Sequence, residues 1–167
     1  YMVRRSSINA LGEIGDTRAV EPLIAALGDT SKFVCAAASK ALGMLHDRRA
    51  VEPLVAALGD SNENVRGNST GALDGIGVAQ AVEPLIVALR DGNVYMRAKA
   101  CYLLGESGDT RTIEPLVLAL RDNDKEVRGA AAAALRHYRD VRSVEALIAA
   151  LGDSDNYTRD EVMRSLV

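Results

Sequence analysis

The stretch Val20-Glu21-Pro22-Leu23-Ile24-Ala25-Ala26-Leu27 decides how this chain is read, because it keeps coming back. It recurs as Val51-Glu52-Pro53-Leu54, Val82-Glu83-Pro84-Leu85, Ile113-Glu114-Pro115-Leu116 and Val144-Glu145-Ala146-Leu147, at a period of 31 residues without an insertion. Self-similarity at such a period marks a stacked array, in which each unit buries its apolar face only against its neighbours. A strict period also leaves no unit room for an inserted functional loop.

Inside one period, Val20, Leu23, Ile24 and Leu27 fall at i, i+3, i+4 and i+7, which predicts one face of a first helix, A. Val34, Ala38, Ala41, Leu42 and Leu45 mark the buried stripe of a second helix, B. Ser31, Asn62, Asn93, Asp124 and Asp155 stand where helix B starts, with side-chain oxygens suited to capping free amides. Gly15, Gly77 and Gly108 mark its end, with His46 and Arg139 in the other copies. Pro22, Pro53, Pro84 and Pro115 belong in a first turn or at a kink of helix A, since deeper placement costs roughly 3 kcal/mol. The upstream acids Asp16, Asp47, Asp109 and Asp140 favour the kink, as candidate caps of a longer helix.

This predicts one all-α array over residues 1–167: an orphan helix B over 1–15, then repeats 16–46, 47–77, 78–108, 109–139 and 140–167. Eleven helices are expected. Ile8 and Leu11 occupy core phases with no preceding helix A, and with Val162 they predict end-to-end self-association or a trimmed larger protein.

Composition agrees. The 167 residues are 48% hydrophobic but hold five Tyr, one Phe and no Trp, so the interior must be aliphatic, which suits helices. Acidic and basic residues nearly cancel, 23 against 20, which argues against a surface built to neutralise a phosphate backbone. No apolar run approaches the ~18 residues of a membrane span, and Tyr1-Met2-Val3-Arg4-Arg5 lacks the apolar core of a signal peptide. A soluble, cytoplasmic chain is expected, though it does not begin with Met, which leaves a processed or trimmed leader open.

Two arginine phases stand out: Arg4, Arg66, Arg97, Arg128 and Arg159, and Arg18, Arg49, Arg111 and Arg142. Both are expected to form ladders with the repeated Asp and Glu of successive units, Cys35 being the one break in the first. Cys35 and Cys101 lie two repeats plus four residues apart, about 20 Å if layers are spaced by ~10 Å, beyond bridging distance. Cys101 shares its phase with Ile8 and Met163 and is expected to be a buried thiol. Neither His46 nor His137 has a second His or Cys at metal-ligand spacing, and no nucleophile elbow, phosphate loop or paired-carboxylate motif occurs. No catalytic residue, metal or cofactor is expected, and the chain reads as a non-enzyme.

The run Ala-Val-Glu-Pro-Leu-Ile-x-Ala-Leu, followed by Asp-x-x-x-x-Val-Arg and Ala-Leu-Gly, resembles the short HEAT-like repeats of phycobilisome bilin lyases and many prokaryotic proteins. The resemblance covers essentially the whole chain. It implies a right-handed α-solenoid with helices A outside and helices B lining a concave surface. Deoxyhypusine hydroxylases are also similar, yet they hold two irons with His-Glu pairs; here His46 precedes Asp47 and His137 precedes Tyr138, which speaks against that activity. The HEAT-like alkylpurine DNA glycosylases use a basic groove, which the balanced charge does not supply.

In an array, repeated positions hold the scaffold and varying positions are free to recognise something. The exposed stripe of helix B, at phases 33, 36 or 37, 40 and 44, varies from copy to copy. Four of the six aromatics, Phe33, Tyr95, Tyr102 and Tyr157, land on it, and Gly67, Gly71 and Gly75 leave a bare groove between Phe33 and Tyr95. Phe33, Lys40, Met44, Gly71, Tyr95, Tyr102, Glu106, His137, Tyr157 and Arg164 are therefore the candidate partner-binding residues, aromatic anchors being favoured at interfaces. The leading expectation is a non-enzymatic scaffold that binds a protein or peptide on the concave helix-B face. A bilin lyase-like subunit acting on a phycobiliprotein is the first alternative, and a nucleic-acid-binding protein the second.

Overall fold

The computed structural model describes residues 1–166 and shows only helices and turns among them. The α-helices, in chain order, are α1 (Met2–Ile14), α2 (Val20–Ala26), α3 (Lys32–Leu45), α4 (Val51–Ala57), α5 (Glu63–Ile76), α6 (Val82–Ala88), α7 (Val94–Glu106), α8 (Ile113–Ala119), α9 (Lys125–Leu135), α10 (Val141–Ala150) and α11 (Asn156–Leu166). They fall into two compact units, one ending at Pro84 and the other beginning at Leu85. In the first unit α1, α3 and α5 lie side by side, with α2 against α3 and α4 against α5. In the second, α7, α9 and α11 form the same kind of row, with α8 against α9 and α10 against α11.

The aliphatic core is where the period puts it. Val20, Leu23, Val34, Leu42, Leu54 and Leu73 are fully buried in the first unit, as are Leu103, Leu104, Ile113, Leu116, Val127 and Leu135 in the second. The long helices approach closely because small residues meet between them. A Cβ added at Gly12 would stand 2.9 Å from the Cβ of Ala41, and one at Gly43 or Gly105 would stand 2.8 Å from the Cα of Ala72 or Ala134. These glycines let one backbone rest on the next.

The prolines sit in a first turn, not at a kink. Asp16, Asp47 and Asp109 do cap, each accepting the amide of the residue two ahead, but the element they open is a separate 3-10 turn at Thr17–Ala19, Arg48–Ala50 or Thr110–Thr112. The α-helix proper starts after that turn, which places Pro22, Pro53 and Pro115 at its third position, where the missing amide is least felt. The last copy shows the cause. Ala146 replaces the proline, and α10 runs unbroken from Val141, capped by Asp140.

The caps of the long helices hold at Asn62, Asn93, Asp124 and Asp155. Ser31 is the exception, with no side-chain capping bond. Instead the repeated aspartate two residues earlier orders the loop in every copy: Asp29, Asp60, Asp91, Asp122 and Asp153 accept the amides of Ser31, Asn62, Asn93, Asp124 and Asp155. At the other end Gly15, Gly77 and Gly108 take positive φ, and His46 does so as well, at 49°. His46 Nδ1–H donates to the Gly75 carbonyl at 2.6 Å, a bond that holds the ring in place. Arg139 does not end a helix. The helix α9 stops at Leu135, and Tyr138 turns inward to donate to the Leu104 carbonyl at 2.5 Å, 2.6 Å from the Thr112 hydroxyl. Ser107 stands one repeat earlier at the phase otherwise held by Ile14, Leu45 and Ile76, and the Tyr138 hydroxyl reaches to within 3.4 Å of it.

Candidate functional site

The two arginine sets, alike in sequence, do different things. Arg4, Arg97 and Arg128 reach the aspartate of the next repeat with two bonds each, to Asp29, Asp122 and Asp153. Burial alone would raise Asp122 and Asp153, but the guanidinium bonds and the amides of Asp124 and Asp155 keep both carboxyls below their usual range. The second set closes first on its own loop. Arg18, Arg111 and Arg142 fold back on Asp16, Asp109 and Asp140 two residues away, and Arg49 does the same with Asp47 while touching Glu21 of the preceding repeat at 3.3 Å. Capping needs Asp at that loop, and the nearest cation two residues ahead takes it first. The guanidinium and the capped amide hold Asp16 and Asp47 at about 2.

Where Cys35 interrupts the first ladder, two groups share the missing arginine's work. Its thiol donates to the Asp29 carbonyl at 3.1 Å, the counterpart of the carbonyl that Arg66, Arg97, Arg128 and Arg159 bind from the same phase. Lys32, one turn earlier, makes the ion pair to Asp60 at 2.8 Å. Both thiols are free and buried. Burial pushes Cys35 up and Cys101 up to about 12, so neither is an activated nucleophile. Among the described residues no group of three or more His, Cys, Asp or Glu could hold a metal ion.

Beyond the ion pairs and the core lies the exposed stripe of the long helices. In the first unit Phe33 is 60% exposed, with Lys40 and Met44 also exposed on α3. Gly67 and Gly71 face open space, with nothing within 4 Å of an added Cβ, so no packing inside the protein demands them. Lys40, Met44, Gly67 and Gly71 line one hollow of about 340 Å³, and Arg5, Asn9, Phe33, Lys40, Asn64 and Asn68 line a second of about 280 Å³.

In the second unit Tyr95 and Tyr102 are 52% and 48% exposed on α7. Glu106 and His137 face each other at 3.6 Å, and Arg164 pairs with Glu161 at 2.5 Å. Tyr157 departs from the expectation. Its ring lies where a Cβ of Gly129 would be, 2.5 Å from Cε1, so Gly129, at the stripe phase of Ala36 and Gly67, is buried beneath it. One edge of Tyr157 is thus used for packing, and its burial raises the phenol above its ordinary value.

Three contributors escaped the sequence reading. Tyr1 stacks on Phe33 at 5.6 Å between centroids. Asn68 donates to the Ala36 carbonyl at 2.9 Å, and Lys99 lies 5.8 Å over the Tyr102 ring. Asn68 and Lys99 share the phase of Ala37, one of the two positions that could carry the stripe, so that alternative was the available signal. Tyr1 carried none. The residues expected at sticky ends are also different: Ile8 and Val162 are buried and Leu11 partly so. Exposed apolar groups toward the ends include Met2, Val3 and Ile14 on α1, Val141, Val144, Ile148 and Leu151 around α10, and Met163 and Leu166 on α11.

A stack of A–B helical hairpins with a repeated core and a variable outer stripe defines the class as an α-solenoid repeat protein. A family model for HEAT repeats matches residues 1–74, 34–94 and 82–167, and the chain belongs to the HEAT-repeat family. No curated protein sequence matches it. Among solved structures, the complex of CpcE and CpcF of phycocyanin lyase from Nostoc sp. PCC7120 is similar, at TM-score 0.70 and 24% identity, covering 91% of this chain and 100% of that one. Human deoxyhypusine hydroxylase gives TM-score 0.56 and 20% identity, over 99% of this chain and 78% of that one. A designed armadillo repeat protein in complex with the peptide (KR)4 gives TM-score 0.54 and 19% identity, over 96% and 90%. At these identities the likeness is one of fold. Among the described residues no helix is long and apolar enough to cross a membrane.

Proposed function

We propose that this protein is a non-enzymatic scaffold that binds a protein or peptide through the exposed stripe of its long B helices. The observation that carries the reading is the exposure of Phe33, Tyr95 and Tyr102 on a face whose opposite side already supplies the core. Aromatic side chains left outside a complete core are the usual anchors of an interface. Lys40, Met44, Gly71, Glu106, His137, Tyr157 and Arg164 complete the proposed surface, with Tyr157 contributing only the edge that Gly129 does not cover. The (KR)4 complex supports it by analogy, since that designed helical repeat protein is in complex with a peptide.

The test pairs two variants. Tyr95→Ala with Tyr102→Ala removes exposed rings and should leave the fold nearly intact while weakening a captured partner by ~2 kcal/mol or more. Leu104→Ala empties a fully buried site on the same helix and should cost ~2–5 kcal/mol of stability. A double tyrosine variant that unfolds as readily as the leucine variant, or that binds at full strength, defeats the proposal.

The similarity to the phycocyanin lyase complex favours a second reading, a lyase-like subunit working with a second protein. Incubation with bilin, an apo-phycobiliprotein and that partner separates the two, because only the second reading yields a chromophore adduct. Self-association through the exposed apolar groups of α1 and α10 is a further part of the proposal, read by light scattering over a concentration series.

A further inference from the structure

Arg4, Arg18, Arg49, Arg97, Arg111, Arg128 and Arg142 are each committed to an aspartate, whereas two cations that share one hollow are not. Arg5 on α1 and Lys40 on α3 line the 280 Å³ hollow of the first unit. Among the described residues, neither side chain makes an ion pair or a hydrogen bond, whereas Arg4 beside Arg5 is tied to Asp29. Asn9 and Asn64 add amide groups from α1 and α5, and Asn68 is held by its bond to the Ala36 carbonyl. No carboxylate lines the hollow; Glu13 on α1 and Glu63 on α5 are not part of its lining. One wall is apolar: the Phe33 ring, held in place by its stack with Tyr1.

From this we infer that the hollow between α1, α3 and α5 takes an acidic peptide segment, with a carboxylate between Arg5 and Lys40 and an adjacent apolar side chain on Phe33. The inference rests on the scaffold reading and gives it a partner chemistry. Two unpaired cations in a concavity with amide donors recognise a carboxylate, because each gains a charge-assisted bond that nothing inside the protein supplies. A nucleic acid is the poorer fit. It needs a run of cations spaced along a backbone, and the hollow offers two.

The test uses the full chain and fluorescein-labelled twelve-residue peptides that alternate Glu with Leu, Gln with Leu, or Lys with Leu, read by fluorescence anisotropy. The Glu-Leu peptide should bind at least tenfold more tightly than the Gln-Leu peptide, and the difference should shrink as salt is raised. Arg5→Gln with Lys40→Gln should remove that preference, while circular dichroism shows unchanged melting because both side chains are unpaired. Arg5→Glu with Lys40→Glu should turn the preference toward the Lys-Leu peptide, a gain that unfolding cannot imitate. Equal binding of the Glu-Leu peptide to wild type and the double glutamine variant overturns the inference, as does its displacement by single-stranded oligothymidylate at lower concentration than by unlabelled peptide. If the Gln-Leu peptide binds as well as the Glu-Leu peptide and Phe33→Ala weakens both, the acidic preference is wrong and the scaffold reading stands. If none of the three binds, both fail.

Discussion

Replacing Gly67 and Gly71 with alanine should make this protein more stable and a worse binder. Both lie inside α5, where glycine costs about 1 kcal/mol relative to alanine through backbone entropy. An added methyl meets nothing within 4 Å at either position, so the double variant should gain about 2 kcal/mol with no steric offset. In a chain of this length that raises the melting temperature by about 4–8 °C. Gly43→Ala is the control of opposite sign. The same propensity gain of about 1 kcal/mol is set against a methyl 2.8 Å from the Cα of Ala72, a backbone atom that cannot step aside, and overpacking of about 2–3 kcal/mol leaves a net loss of about 1–2 kcal/mol. Urea denaturation followed by far-UV circular dichroism measures all three, fitted with a repeat-array treatment because stacked units can unfold separately. Anisotropy with a bound peptide supplies the second readout. If a partner's chain lies against bare backbone at Gly67 and Gly71, the stabilised variant binds more weakly. A double alanine variant that loses stability refutes the open-space argument, and one that gains stability with unaltered binding refutes the role of the glycines in recognition.

Tyr138→Phe should destabilise the second unit by about 1–3 kcal/mol, because it strips the hydroxyl from the Leu104 carbonyl in a buried setting; chemical denaturation of that single variant reads the loss directly. Asp122→Asn should flatten the acid limb of stability. Asp122 is held below its unfolded value, so its contribution is present above about pH 4 and fades as the pH falls through the lower folded value; melting curves from pH 6 to pH 2 should show wild type and variant converging at the acid end. Both thiols should resist iodoacetamide in the native protein at pH 8 and react fully in urea, since each is buried and raised; mass spectrometry finding early alkylation of Cys35 would contradict its hydrogen bond to Asp29.

The sequence by itself determined the period, the two helices per unit, the aliphatic core and the stripe on which variation collects. These follow from spacing alone: i, i+3, i+4 and i+7 fix a face, and a strict period of 31 residues fixes which faces stack. Distance decided the rest. Arg4 and Arg18 each have an aspartate available, yet one bridges to the next repeat and the other closes on its own loop, because only the folded chain sets which carboxylate is nearest. Pro22 reads as a kink or a first turn until the 3-10 turn before it is seen. Gly43 and Gly71 are the same residue on helices of one layer; the first lies against the backbone of Ala72 and the second against open space. The period separates the two only by phase, Gly43 with Gly12 and Gly105 and Gly71 with Asn9, Lys40 and Tyr102; the contact itself lies in what a neighbouring helix places within reach of a methyl group.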